Sequence, residues 1–284
     1  MSKSIRIVEE IIKLRLSISA WKSEEKSVAL VPTMGALHEG HLSLVRLAKE
    51  KAERVVVSIF VNPAQFAPNE DFDSYPRTRE DDVAMLRALG VDLVFAPSRA
   101  EVYPDDFSTS VKVTGISEGL CGASRPHFFG GVATVVAKLL NQCQADYAIF
   151  GEKDYQQLLV IRRMARDLDI NTTILGGPIV REKDGLAMSS RNAYLSKAQR
   201  NAASALFATL SETAKELADG SDIEGALSMA KKRLKEAGFK LDYLEVRNSQ
   251  DLSPIDGAVS EPARVFAAAY LGETRLIDNV AISE

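Results

Sequence analysis

Two of the chain's three histidines sit in Pro32-Thr33-Met34-Gly35-Ala36-Leu37-His38-Glu39-Gly40-His41. An apolar run, Val28 to Val31, precedes this stretch, and helically spaced apolar residues, Leu42, Leu44, Val45, Leu47 and Ala48, follow it. The histidines are therefore predicted at a strand-to-helix junction. Backbone N–H groups at a helix start have no intrahelical partner and lie at the positive end of the helix dipole, so they favour anions. Two imidazoles three residues apart add donors for phosphate oxygens. The chemistry predicted is attack on the α-phosphate of a nucleoside triphosphate. Zinc binding is the competing use of such a pair, but zinc takes three or four ligands, and His127, Cys121 and Cys143 show no ligand spacing.

Adenylyl transfer also needs cations and hydroxyls around a polyanion. Lys153, just past an apolar run, supplies a point charge. Met188-Ser189-Ser190-Arg191-Asn192 supplies two hydroxyls beside a planar guanidinium fork. The same residue types also make ordinary surface lysines and helix caps. Gln65 and Gln157 fall near predicted strand ends and suit a small substrate with a hydroxyl and a carboxylate. Asp81 and Asp82 could help hold Mg2+, or simply form the acidic first turn of a helix.

The elements that position these groups alternate. Strands are predicted at 28–31, 54–61, 91–95, 147–150 and 171–175. Helices are predicted at 5–20, 41–53, 78–89, 132–143 and 154–168. Alternation implies a parallel sheet with right-handed crossovers, and ligands bind beyond the carboxyl ends of such strands. Gly176-Gly177-Pro178 reads as a linker. Helices at 197–219 and 222–237 and strands near 241–247 and 263–270 then suggest a smaller α+β domain. The boundaries predicted are 1–177 and 178–284.

With 284 residues, 46% of them hydrophobic, the chain can bury two cores. Its formal charge of −4 does not suggest a broad nucleic-acid surface. Two cysteines 22 residues apart read as buried thiols rather than a disulfide framework. Charges at Arg6, Glu9, Glu10, Lys13 and Arg15 do not fit a secretory signal, and no apolar run has the length of a membrane span. A cytoplasmic protein is expected.

Several motifs together are specific. Beside residues 32–41 stand Ser58-Ile59-Phe60-Val61-Asn62-Pro63-x-Gln65-Phe66, Tyr75-Pro76-Arg77-Thr78, Gly151-Glu152-Lys153-Asp154-Tyr155-Gln156-Gln157, and Asp184-Gly185-Leu186-Ala187-Met188-Ser189-Ser190-Arg191-Asn192-x-Tyr194-Leu195. With them the chain resembles the pantoate–β-alanine ligase family from about residue 28 to 200. The resemblance implies a Rossmann-like nucleotidyltransferase domain, a small C-terminal lid domain and a homodimer. It implies ATP-dependent joining of pantoate to β-alanine through a pantoyl adenylate, a step of coenzyme A biosynthesis, with Mg2+ accompanying ATP. ATP contacts are implied for Met34, Gly35, Ala36, Leu37, His38, Glu39, Gly40, His41, Gly151, Glu152, Lys153, Asp154, Val180, Met188, Ser189, Ser190 and Arg191. Catalytic roles are implied for His38, His41, Lys153 and Arg191, with His41 as the family's proton donor. Pantoate and β-alanine contacts are implied for Asn62, Gln65, Arg125 and Gln157.

One segment departs from the family pattern. Where the family commonly reads Ser-Arg-Pro-Gly-His-Phe-Arg-Gly-Val, this chain reads Ser124-Arg125-Pro126-His127-Phe128-Phe129-Gly130-Gly131-Val132. Arg125 carries over from it and His127 does not. Two other functions stay open on the residues alone: a nucleotidyltransferase acting on another small acid or phosphate, and a non-catalytic nucleotide-binding regulator.

Overall fold

Residues 5–68 and 70–282 are described by the structure, a computed structural model. The chain divides into two compact units. The first comprises residues 1–114, 125–152 and 160–178, the second 115–124, 153–159 and 179–284. The division at 178/179 falls beside the predicted linker. The segments 115–124 and 153–159 go with the second unit, which a single cut in the chain does not provide for.

The first unit holds β1 (Arg6–Val8), α1 (Ile11–Ser23), β2 (Val28–Thr33), α2 (Glu39–Lys51), β3 (Arg54–Ile59), α3 (Arg79–Ala88), β4 (Leu93–Phe95) and a one-turn helix, α4 (Arg99–Val102). After α5 (Cys121–Ser124) of the second unit come α6 (Phe128–Cys143), β5 (Tyr147–Gly151), α7 (Tyr155–Asp167) and β6 (Thr173–Gly177). The first turns of α7, to Leu159, count with the second unit. The strands form one parallel sheet in the order β1-β4-β3-β2-β5-β6. Counted from β2, five of them run 3-2-1-4-5, the doubly wound Rossmann order without its sixth strand. The order reverses between β2 and β5, the point where such sheets bind ligands. Val28, Ala29, Leu30 and Val31 are fully buried, as expected for strands covered on both faces. Leu44, Val45 and Ala48 of α2 pack with Ala29, Val31, Val55, Val57 and Ile149 in one apolar core.

Three readings of this unit change. Residues 6–8 are an edge strand, not the start of a helix. Arg6, Ile7 and Val8 pair with Leu93, Val94 and Phe95. The helix begins only at Ile11, whose N–H donates to Glu101 Oε1 at 2.7 Å. Ile5, Val8, Ile11 and Ile12 have helical spacing, but pairing with a remote strand overrides a local period. Gly176 and Gly177 belong to β6, paired with Phe150 and Gly151, and are not linker. A Cβ on Gly177 would lie 2.2 Å from Leu44 Cδ2, so glycine is what lets α2 close on the sheet. Finally, α6 starts at Phe128 rather than 132.

The second unit holds α8 (Lys197–Ala203), α9 (Ala205–Ala218), α10 (Ile223–Glu236) and an antiparallel sheet of β7 (Lys240–Asn248), β8 (Ala263–Leu271) and β9 (Thr274–Ile282). Helix 197–219 is thus two helices abutting at Ser204. Strand β9 had no sequence signal because Asp278 and Asn279, both buried, interrupt its alternation. Leu206, Leu210, Leu234, Val265 and Leu276 belong to this unit's own core. Both cysteines are free and buried.

Candidate active site

In the first unit β2 ends at Thr33 and α2 begins at Glu39. The loop between them turns through the left-handed region at Gly35 (φ +85°) and Ala36 (φ +49°). His38 is the N-cap of α2. Its Nδ1 accepts from the Gly40 N–H at 3.2 Å, and His41 Nδ1 accepts from the His38 N–H at 3.3 Å. This is a reciprocal cap built from two imidazoles. An Nδ1 that accepts cannot carry the proton, so each neutral ring holds it on Nε2. The rings lie with centroids 4.2 Å apart. The sequence pattern therefore places two Nε2–H donors at a helix N-terminus. Glu39, by contrast, is exposed and paired with Arg46.

The loop is held by Asp82, which is 1% exposed. Its Oδ2 accepts from the Ala36 N–H at 3.0 Å, and its Oδ1 from the Leu37 N–H at 2.8 Å and Thr78 Oγ1 at 3.2 Å. The predicted magnesium role of Asp81 and Asp82 does not fit this geometry. Asp82 is spent on backbone donors, and Asp81 stands exposed beside it. Among the described residues no three His, Cys, Asp or Glu side chains gather as a metal site.

Past β3, Asn62 and Gln65 stand together. Asn62, 1% exposed, uses all its hydrogen-bonding capacity. Nδ2 donates to Gln65 Oε1 at 3.1 Å and to the Gly131 carbonyl at 3.2 Å. Oδ1 accepts from the Ala64 N–H at 3.3 Å and the Tyr103 hydroxyl at 2.8 Å. Asn62 is thus a support for Gln65 rather than the substrate contact expected. Gln65 Nε2 meets Met34 Sδ at 3.1 Å, which joins this cluster to the histidine loop.

Arg125 also changes role. Its Nε and Nη2 each donate to a Glu70 carboxylate oxygen at 2.6 Å. Nη2 also reaches the Gln65 carbonyl at 3.2 Å, and the guanidinium lies 3.9 Å over the Phe128 ring. Its predicted substrate carboxylate is replaced by a resident one. Burial alone would raise the Glu70 carboxyl, but Arg125 and the Ala67 amide outweigh burial and hold it below the ordinary carboxylate range. In the departing segment, α6 approaches the backbone at Gly131. A Cβ there would lie 2.2 Å from the Ala64 carbonyl oxygen and 2.7 Å from the Gln65 nitrogen.

Gly151 ends β5 and Glu152 follows it, both in the first unit. The other residues named from the sequence, Lys153, Asp154, Gln157, Val180 and 188–191, belong to the second unit. Met188 N–H donates to the Val180 carbonyl at 3.0 Å, so these two form one short hairpin. Ser189 caps the turn Ser190–Tyr194, its Oγ accepting from the Arg191 N–H at 3.3 Å. Two neighbours in β9 fix both groups. Asp278 takes Arg181, next to Val180, at 2.6 and 3.0 Å. Asn279 Nδ2 donates to the Lys153 carbonyl at 3.1 Å. Lys153 Nζ lies 3.7 Å from Asp154.

Tyr103, Gly131, Glu70, Arg181, Asp278 and Asn279 were not singled out from the sequence. Each acts through a partner distant in the chain, and none left a mark in the sequence; the departure from the family pattern is at Gly130, beside Gly131.

Comparisons with known proteins place the chain by its sequence and its fold. The profile of the family described as "Pantoate-beta-alanine ligase" matches residues 6–281. A pantothenate synthetase of Caulobacter vibrioides is 56% identical over 279 residues, covering 97% of this chain and 98% of that one. One from Paramagnetospirillum magneticum is 55% identical over 283 residues, covering 99% of each. A crystal structure of pantothenate synthetase from Thermus thermophilus is similar at TM-score 0.93 and 44% identity, covering 99% of this chain and 100% of that one. A pantoate-beta-alanine ligase from Francisella tularensis, complexed with beta-gamma ATP and beta-alanine, is similar at TM-score 0.82 and 35% identity, covering 98% of each. With a family profile spanning nearly the whole sequence and relatives more than half identical to it along their full length, the chain belongs to the pantoate–β-alanine ligase family.

Proposed function

We propose the following division of labour in the reaction this ligase catalyses, the ATP-dependent joining of pantoate to β-alanine. A pantoate carboxylate oxygen attacks the α-phosphorus of ATP, and the bond to pyrophosphate breaks. The β-alanine amine then attacks the acyl carbon of pantoyl adenylate and AMP leaves. His38 and His41 donate through Nε2–H to the charge that grows on the phosphates. Pyrophosphate is a good leaving group and needs little proton transfer, so His41 acts chiefly as a hydrogen-bond donor. The observation that carries this reading is the reciprocal cap, which uses both Nδ1 atoms as acceptors and assigns the protons to Nε2.

Lys153, Ser189, Ser190 and Arg191 bind the triphosphate. Gln65 and Gln157 hold pantoate. Magnesium enters as part of its ATP complex, a habit of an ion that keeps its waters and binds through phosphates. The chemistry needs Lys153 and residues 188–191 at the phosphates that His38 and His41 meet, so the second unit serves as a lid on bound ATP and shields the adenylate from water. A homodimer and a cytoplasmic setting complete the proposal. Among the described residues no helix is long and apolar enough to cross a membrane.

The test is single-turnover adenylate formation. His38→Ala and His41→Ala should each raise the barrier by about 2–4 kcal/mol, as for a lost transition-state donor. Rates within tenfold of the parent in both variants would refute the assignment. Pantothenate formed per ATP consumed checks the lid, and sedimentation checks the dimer.

A further inference from the structure

The two faces of a side-chain amide have the same shape and opposite chemistry, so something must decide which face Gln65 shows its substrate. The decision starts in the backbone. The Ala64 N–H can only donate, so the Asn62 atom facing it at 3.3 Å is the oxygen. The Gly131 carbonyl can only accept, so the atom facing it at 3.2 Å is the nitrogen. The second hydrogen of Asn62 Nδ2 then goes to Gln65 Oε1. That leaves Gln65 with its nitrogen turned away from Asn62, toward Met34 Sδ, a weak acceptor that leaves donor capacity over.

Tyr103 closes the chain. Its hydroxyl lies 2.8 Å from Asn62 Oδ1, the shortest contact that Asn62 makes in this set. A phenol donates or accepts, but Oδ1 has no hydrogen, so Tyr103 must donate here. Burial pushes the phenol up to about 12, so it keeps that proton at neutral pH. The ring is fixed edge-on to Phe107 at 5.0 Å, with the Lys138 ammonium 5.8 Å from its centroid.

We propose that Tyr103 is a positioning residue which, through Asn62, holds the Gln65 amide with its N–H side toward pantoate, so that Gln65 receives an oxygen acceptor of the substrate and not a hydroxyl proton. This rests on the reading that Gln65 holds pantoate. Without the Tyr103 hydroxyl, Asn62 Oδ1 keeps only the longer Ala64 bond, and the Asn62 amide that carries Gln65 is less firmly held.

The experiment compares Tyr103→Phe, Gln65→Glu and Gln65→Ala with the parent enzyme in steady state, varying pantoate and ATP separately. Tyr103→Phe keeps the ring and should raise KM for pantoate about tenfold, the scale of one lost hydrogen bond, with KM for ATP and Tm little changed. Gln65→Glu offers only acceptors. It should weaken pantoate more than Gln65→Ala does, because an acceptor oxygen of pantoate then faces a carboxylate. A Tyr103→Phe enzyme with unchanged pantoate KM, or with pantoate and ATP weakened alike, overturns the proposal. So does a Gln65→Glu enzyme that binds pantoate as well as the parent. If Gln65→Ala leaves pantoate KM untouched, the underlying assignment of Gln65 falls too. If it weakens pantoate while Tyr103→Phe does not, only the role of Tyr103 falls.

Discussion

Replacing Asp82 by Asn tests whether the histidine loop is held by a carboxylate or by a metal. Asp82 accepts two backbone N–H groups from residues 46 and 45 positions away, at 3.0 and 2.8 Å, together with the Thr78 hydroxyl. Asn keeps one oxygen and turns an NH2 toward the other donors, so at least one buried N–H faces another donor. A hydrogen bond to a charged group is worth about 1.5–3 kcal/mol, and an orphaned buried donor costs about 1–3 kcal/mol. A loss near 3 kcal/mol is therefore expected, shared between global stability and the loop. The loop has a specific way to relax. Ala36 is held at φ +49°, a conformation that costs a residue with a Cβ about 1–2 kcal/mol. Once released, it returns to negative φ and His38, two residues on, moves with it. A displacement of about 1 Å at a reacting group costs on the order of a hundredfold in rate. The assay is the pyrophosphate burst in a single turnover at several Mg2+ concentrations, with Tm measured beside it. The expected result is a burst slowed about a hundredfold at every Mg2+ concentration. Recovery at high Mg2+ would make Asp82 a metal ligand, and a burst within threefold of the parent would show that the loop needs no anchor. Either outcome refutes the reasoning.

Two further outcomes follow from the site. Gly131→Ala would bring its Cβ to 2.2 Å from the Ala64 carbonyl oxygen, a backbone atom with no rotamer to yield, so α6 must move off Gln65; pantoate KM should rise with a fall in Tm, and a variant of parental KM and Tm would show that the backbone accommodates the methyl. The Glu70 carboxyl is held below its ordinary range, so the Arg125–Glu70 pair stabilises the fold at any pH above the ordinary carboxylate pKa of about 4.3 and loses that contribution as pH falls through the lower folded value. The Tm gap between parent and Glu70→Gln should then be constant above about pH 5 and close below about pH 4, whereas a gap that widens on acidification would reverse the sign assigned here.

What the sequence showed and what it hid divide along a physical line. The parallel sheet was legible because each buried strand is a local apolar run, and the histidine pair because strand, turn and helix start are contiguous. Both depend on interactions within about a dozen residues. The supports of the site do not. Tyr103 reaches Asn62 across 41 residues, Arg125 reaches Glu70 across 55, and Asn62 reaches Gly131 across 69. Residue type alone cannot assign those partners, because Asp82, Asn62 and Arg125 each carry a group that substrate, metal or protein could satisfy equally well. That is why all three read as ligands and all three proved to be committed within the protein. The strand β9 makes the same point from the side of the fold. Asp278 and Asn279 weaken its pattern as a strand, yet they are what ties Arg181 and the Lys153 carbonyl to adjacent positions. A buried polar pair in the middle of a strand lowers the local signal for structure because its bonds are spent on placing residues from elsewhere in the chain. In β9 the residues that most disturbed the sequence pattern are those that hold Arg181 and the Lys153 backbone in place.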